Sequence, residues 1–126
     1  MVTGDAQLVE QWRSVQSVYL RTSNAIEREL ESRFKIGCSE FEILDLLAEK
    51  FDDSCRMKHL AESSPLTQSA LSRIVDRLEK AGLVERAACQ DDRRSLLVGL
   101  TEAGHDLHLA AATVQRGILK DQLALS

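Results

Sequence analysis

The chain has little that would cross-link, interrupt or anchor it. One proline, Pro65, stands among 126 residues, so most of the sequence is free of the residue that breaks helices. The three cysteines, Cys38, Cys55 and Cys89, form no CxxC pair and leave an odd one over, which excludes a zinc cage and a disulfide framework as organising devices. Apolar runs are only a few residues long, so no membrane span is expected. Met1 is followed by Val2, Thr3, Gly4 and Asp5, a start without the basic and apolar regions of a signal peptide, and the expected location is the cytoplasm. A glycine-rich phosphate loop, G-x-S-x-G, HExxH and an ordered Ser/His/Asp set are all missing, so neither catalysis nor a cofactor is expected. No repeat or low-complexity segment is visible.

What remains is the composition of one helix-rich globular domain, with 44% apolar and 29% charged residues, long enough to bury a core without staples. The net charge of −4 argues against a nucleic-acid partner only if charge is spread evenly, and it is not. Residues 56–100 carry eight Lys or Arg against six acids, whereas residues 1–55 carry six against eleven and residues 101–126 two against three. The basic part is the middle, where a nucleic-acid surface would have to lie.

From about Ala6 to Phe34, Leu8, Trp12, Val15, Tyr19, Ile26, Leu30 and Phe34 recur at helical steps and predict one long helix that ends at Lys35, Ile36 and Gly37. Ser39 followed by Glu42 has capping-box spacing, and Phe41, Leu44, Leu47 and Ala48 mark the inner face of a second helix ending near Phe51. Asp52, Asp53 and Ser54 form a loop. A very short strand over Cys55–Met57 and a short helix over Lys58–Ser63, built on Leu60 and Ala61, precede the breaker Ser64-Pro65.

The segment "LTQSALSRIVDRLEKAGLV", Leu66 to Val84, is delimited at both ends: Thr67 can cap its start, and Gly82 can take the left-handed position past its end with Leu83 packing back. Helical spacing puts Ala70, Leu71, Ile74, Leu78 and Ala81 on one side and Gln68, Ser69, Ser72, Arg73 and Asp76 on the other. A merely solvated face usually carries long Glu/Lys pairs, whereas this one is short, polar and suited to base edges. Short helix, breaker and longer helix with a polar outer face is the helix-turn-helix order. Two strand candidates, Leu83–Ala87 and Ser95–Leu100, then flank "ACQDDRR", a hairpin with a charged tip that makes the unit winged. Thr101 caps a last helix whose stripe is read as Ala103, Leu107, Ala110, Val114 and Ile118.

The run "LAESSPLTQSALSRIVDRLEKAGLVERAACQDDRRSLLVGLTEAG", Leu60 to Gly104, resembles a MarR-type winged helix. The likeness rests on Leu60-Ala61, Ser72-Arg73, "DRLEKAGLVER", Asp92-Arg93-Arg94 and Leu100-Thr101, and with the flanking helices it covers nearly the whole chain. It implies a mainly α-helical winged helix-turn-helix with long N- and C-terminal dimerisation helices and a small β-hairpin wing. The expected division is 6–51 for the N-terminal helices, 55–101 for the DNA-binding part and 102–126 for the C-terminal dimerisation helix. The resemblance further implies a homodimeric repressor on a pseudo-palindromic double-stranded DNA operator, released by a small aromatic or phenolic effector.

Carried over by position, the resemblance places Thr67, Gln68, Ser69, Ser72 and Arg73 at or near the major groove and Arg77 near phosphate. It gives Arg86 the role of supporting the wing or touching the backbone. Asp92 would orient Arg94 for the minor groove, where a held guanidinium loses less freedom on binding, and Arg93 would contact phosphate. The departure from the family pattern lies at the C-terminus, where relatives carry a further helix. The expected dimer either pairs Leu107, Val114, Ile118, Leu123 and Leu125 with the partner's first helix or has a smaller interface than is usual in the family.

Trp12, Val15 and Tyr19 are candidates to line an effector pocket, with dimer core as the competing assignment. Arg77 has an alternative as an ion-pair partner of Asp76 or Glu79. Cys38, before a helix, and Cys89, on the wing, raise thiol-based redox sensing, with small buried thiols as the alternative. His105 and His108, three apart on a helix, raise a metal role, with polar surface as the alternative and no metal ligand assigned. A winged helix that binds protein and not DNA is the remaining class; it predicts no steep salt dependence.

Overall fold

The computed structural model describes residues 3–90 and 95–124. Its elements run α1 (Thr3–Phe34), α2 (Cys38–Asp45, continued by a π-helical turn over Leu46–Lys50), β1 (Ser54–Arg56), α3 (Met57–Ser63), α4 (Gln68–Lys80), β2 (Val84–Ala88), β3 (Leu96–Leu100) and α5 (Glu102–Leu123). The strands form one antiparallel sheet in the order β1-β3-β2. The core joins Leu30 of α1, Ile43, Leu44 and Leu47 of α2 and its extension, Leu60 of α3, Leu71, Val75 and Leu78 of α4, and Val84 and Val98 of the sheet, all buried. Each such side chain stabilises the fold by about 1.5–3 kcal/mol relative to exposure.

The long first helix packs along α5, where the Arg21 Nε donates to Gln122 Oε1 at 2.7 Å. Lys35, at φ 60, turns the chain out of α1. The apolar stripe of α1 does not share one fate: Ile26 and Leu30 are in the core, whereas Leu8, Trp12, Val15 and Tyr19 are 63%, 58%, 53% and 66% exposed.

The start of α2 differs from the expected Ser39–Glu42 box. The cap is Gly37, whose N–H is accepted by Glu40 Oε1 at 3.1 Å, while Glu27 of α1 accepts the Cys38 N–H at 3.0 Å. A carboxylate from a neighbouring helix supplies the acceptor that a local serine would otherwise provide, and the helix begins earlier than its sequence signal. At its far end, Asp52 and Asp53 take left-handed φ values of 53 and 80. The tight turn lets Asp53 N–H bond to Leu47 O at 2.7 Å and Asp53 O accept from Leu100 N–H at 2.8 Å, delivering β1 to the edge of β3.

Thr101 caps α5 as expected, accepting from Gly104 N–H at 3.0 Å, but the buried face lies one residue away from the predicted stripe. Gly104, His108 and Ala111 are buried, while Ala103 and Ala110 are exposed. The phase is set where α5 passes Leu83, in the turn between α4 and β2: a Cβ at Gly104 would come within 1.9 Å of Leu83 O, so only glycine fits there, and positions four and seven later follow it inward. His108, expected at the surface, is 2% exposed. Its Nε2 lies 2.7 Å from Asp45 Oδ1, its ring stacks on Phe41, and Arg116 Nη2 donates to the same Asp45 oxygen at 2.9 Å. Asp45 thus ties α5 to α2 through two partners.

Candidate nucleic-acid interface

Two helices and a hairpin build the interface. The chain leaves α3 at Ser64, whose Oγ accepts from Leu66 N–H at 3.1 Å, and passes exposed Pro65 into α4. Thr67 caps α4, its Oγ1 accepting from Ala70 N–H at 3.2 Å. At the other end Gly82 adopts φ 78, and bonds from Gly82 N–H to Glu79 O and from Leu83 N–H to Leu78 O, at 3.0 and 2.9 Å, complete a Schellman closure. Both ends are as the sequence predicts.

Leu71, Ile74, Val75 and Leu78 of α4 face the core. Thr67, Gln68, Ser69, Ser72, Arg73 and Arg77 are exposed, one continuous face of short polar and cationic side chains. Ala81, assigned to the inner side, is exposed instead, because the helix ends at Lys80 and the chain turns away.

Asp76, half-exposed, differs from the other polar residues of this face in being engaged from the wing. Arg86, on β2, donates from Nη2 to Asp76 Oδ1 at 2.5 Å and to Glu79 Oε1 at 2.8 Å, and from Nε to Glu79 Oε1 at 3.2 Å. The Arg86 N–H adds a bond to Glu79 Oε2 at 3.3 Å. These hydrogen bonds hold the Glu79 carboxyl below its ordinary range, chiefly through the Arg86 side chain, and push the Arg86 guanidinium up, chiefly through Glu79. With both acids engaged by Arg86, Arg77 does not pair with either, and neither Arg73 nor Arg77 has an ion-pair partner among the described residues. Both line one wall of a cleft of about 410 Å³ that has Glu27 and Glu31 of α1 on its other side.

The wing rises beside α4. Val84 pairs with Leu100, Arg86 with Val98 and Ala88 with Leu96, and the ladder extends through a bond of 3.0 Å from Cys89 N–H to Ser95 O. Its base is fixed by buried Val84 and Val98 and by Thr101 Oγ1 donating to Gly82 O at 2.6 Å. Asp92, Arg93 and Arg94, assigned to its tip, lie outside the described residues, as does Leu125 of the expected dimer interface.

The cysteines are poorly disposed for redox chemistry. Cys89, expected on an accessible wing, is 7% exposed, because its side chain turns inward at the end of the ladder. Burial first, then the hydrogen bond and charge of Glu27, raise the Cys38 thiol to about 12, and burial also raises Cys55. A reactive thiol needs the opposite shift. Among the described residues, the donor set nearest a metal site is Asp45, Glu49 and His108, whose ligand atoms lie within 4.8 Å of one another; His105 is not part of it, and the Asp45 carboxylate is already shared by His108 and Arg116.

Between α1 and α5 runs an apolar groove of about 690 Å³, lined by Val15, Val18, Tyr19, Ile26, Leu119 and Leu123 with three small polar residues. One of these, Thr22, is buried with no partner for its Oγ1. Two of the three candidate effector residues, Val15 and Tyr19, are in the lining and Trp12 is not. Sequence periodicity shows the stripe, but nothing in it marks Thr22. Among the described residues, no helix is long and apolar enough to cross a membrane.

Comparison with known proteins bears on this geometry directly. The MarR family profile matches residues 38–96. The transcriptional regulator PecS of Dickeya dadantii is 29% identical, the match covering 81% of this chain and 70% of PecS. Among solved structures, the MarR family regulator AbsC of Streptomyces coelicolor superposes with a TM-score of 0.84 at 31% identity, covering 92% of this chain and 78% of AbsC. Sco3205, a MarR family regulator of the same organism solved in complex with DNA, gives 0.85 at 30% identity over 97% of this chain and 75% of its own. With the capped polar helix, the wing and these likenesses together, the chain belongs to the MarR family of winged helix-turn-helix, DNA-binding transcriptional regulators.

Proposed function

We propose that the chain acts in the cytoplasm as a ligand-responsive repressor that binds a pseudo-palindromic operator as a homodimer. The observation that carries the reading is the exposed face of α4, where Gln68, Ser69, Ser72 and Arg73 project from a helix whose opposite side is locked in the core. Its side chains match the donors and acceptors of major-groove base edges. Arg77 stands on the flank as a phosphate contact, and Arg93 and Arg94 extend the footprint through the wing, Arg94 aimed by Asp92 into an adjacent minor groove.

Dimerisation is supported by the uncovered apolar surface of the terminal helices. Leu8, Val9, Trp12, Val15, Tyr19 and Leu20 of α1 and Leu109 and Leu123 of α5 are each at least 44% exposed, and large apolar side chains gathered on two helices in this way mark an interaction surface. A second copy using the same faces would cover it symmetrically and set two recognition helices for two half-sites. The groove beside Val15 and Tyr19 suits a small aromatic or phenolic effector.

Titration of fluorescent duplexes from upstream of the gene tests the reading with wild type, Arg73→Ala and Arg94→Ala. Arg73→Ala costs about 1–3 kcal/mol and relaxes preference at particular base pairs, while Arg94→Ala weakens binding mainly where an A·T-rich flank is present. Wild-type binding indifferent to sequence, or two variants that bind as the wild type does, would contradict it.

A further inference from the structure

The side chain of Arg86 spans from the wing to the recognition helix. It extends from β2 toward α4 and is enclosed on that side by Asp76 and Glu79, one helical step apart. Three of its side-chain hydrogen bonds end on those carboxylates, and its backbone N–H adds a fourth link between the same strand and helix. Nε and Nη2 of the guanidinium are taken up by the two carboxylates, and the group stands beside two acids of which it offsets only one. Only 26% of its side-chain surface is open, against 50% for Asp76 and 39% for Glu79. β2 is otherwise joined to α4 by the short closure at Ala81–Leu83 and the buried Val84, and β3 is held on its other edge by β1 as far as Leu97. Arg86, paired with Val98, adds the side-chain link between hairpin and recognition helix.

We propose that Arg86 is a positioning residue, held by Asp76 and Glu79, that fixes the angle of the wing to the recognition helix and does not itself bind DNA. The arrangement divides the charged residues of this region by task. Asp76 and Glu79, which would repel phosphate on a recognition helix, are used to hold the wing, and Arg73 and Arg77 are left without a partner among the described residues. A set angle matters because a helix in the major groove and a hairpin tip beside it must reach the same duplex together. The proposal rests on the DNA-binding reading of α4 for its consequence, and on the geometry of the bridge for its substance.

Hydrogen–deuterium exchange and DNA titration of the full chain test it with Arg86→Gln, Arg86→Lys and the double variant Asp76→Asn with Glu79→Gln. The probe is a duplex that the wild type enriches from a randomised library. In all three variants the amides of β2 and β3 exchange faster while those of α1 and α5 keep their protection, and affinity falls by between about 2- and 30-fold. The double variant is the sharpest arm, because removing negative charge beside phosphates by itself strengthens binding; a loss there has the opposite sign. Arg86→Lys keeps the charge without the fork that spans two carboxylates, so it does not restore affinity. The slope of log affinity against log salt stays at the wild-type value, whereas removing a cation that neutralises one phosphate would reduce it by about 0.9. Unchanged exchange in the wing would overturn the proposal, as would a double variant that binds more tightly, a lysine that restores affinity or a reduced slope for Arg86→Gln. A wild type that enriches no duplex defeats the DNA-binding reading instead, and the exchange arm then decides the bridge alone.

Discussion

Single residues here are defined more by their surroundings than by their type. Cys38 precedes a helix, a setting that often activates a thiol, yet burial and Glu27 raise it to about 12. Because the neutral thiol is favoured in the fold, the reactive thiolate is scarce at neutral pH and grows as pH rises toward that value. Its starting value of 9.0 puts native Cys38 at roughly a thousandfold less thiolate than an unperturbed thiol well below both values. Peptide-resolved alkylation with iodoacetamide at pH 8 should therefore be slow in the native chain, fast in urea, and quicker in the native chain with each unit of pH. Equal native and unfolded rates at pH 8 would contradict this. The glycines separate in the same way. Gly104 has Leu83 O where a Cβ would stand, while Gly117 on the same helix has nothing within 4 Å. Gly104→Ala should destabilise by about 1–3 kcal/mol through overpacking, and Gly117→Ala should stabilise by about 0.5–1 kcal/mol through helix propensity. Urea titration of both checks the pair; a neutral Gly104→Ala would mean that α5 shifts freely on α4.

At the scale of elements, the parts that signal locally were legible and those fixed by a neighbour were not. Thr67, Gly82 and Thr101 act through hydrogen bonds within a few residues or through a single φ, and they stand where the sequence puts them. The outer face of α4 follows from helical spacing alone. By contrast, the start of α2 depends on Glu27 from α1, the phase of α5 on Leu83, and the burial of His108 on Asp45 and Phe41; none of these partners is near in sequence. For Arg86 the resemblance offers wing support or a backbone contact, and spacing alone does not show the acids that hold it. Its role depends on two acids, 7 and 10 residues away, across a turn. The joint between α2 and α5 allows a test at this scale. Asp45→Ala leaves His108 buried without its partner and removes one of the two acceptors of Arg116, which should cost about 1–3 kcal/mol. A thermal melt should show it, with exchange in α5 rising ahead of α4. Unchanged protection of α5 would show that the joint does not hold it.

For the whole molecule, the division is between a winged unit that is packed and capped as a single chain and terminal helices that expose half of their apolar stripe. Leu20→Glu, a position 56% exposed on α1 and outside the groove lining, should split the dimer without touching α4 or the wing. Sedimentation velocity would then show a 14.0 kDa species in place of one twice that mass; a wild type that already sediments as a monomer at micromolar concentration contradicts the dimer. The proposed dimer, with two copies joined through α1 and α5, makes the central claim geometric as well as chemical, because symmetric helices need symmetric half-sites. The most direct measurement is a hydroxyl-radical footprint of the wild type and Arg73→Ala on a duplex that the wild type selects. The account predicts two protected half-sites about 34–36 Å apart, related by a two-fold axis, with the variant losing base preference at the same position in both. A single protected site, or a footprint that Arg73→Ala leaves unchanged, would contradict it.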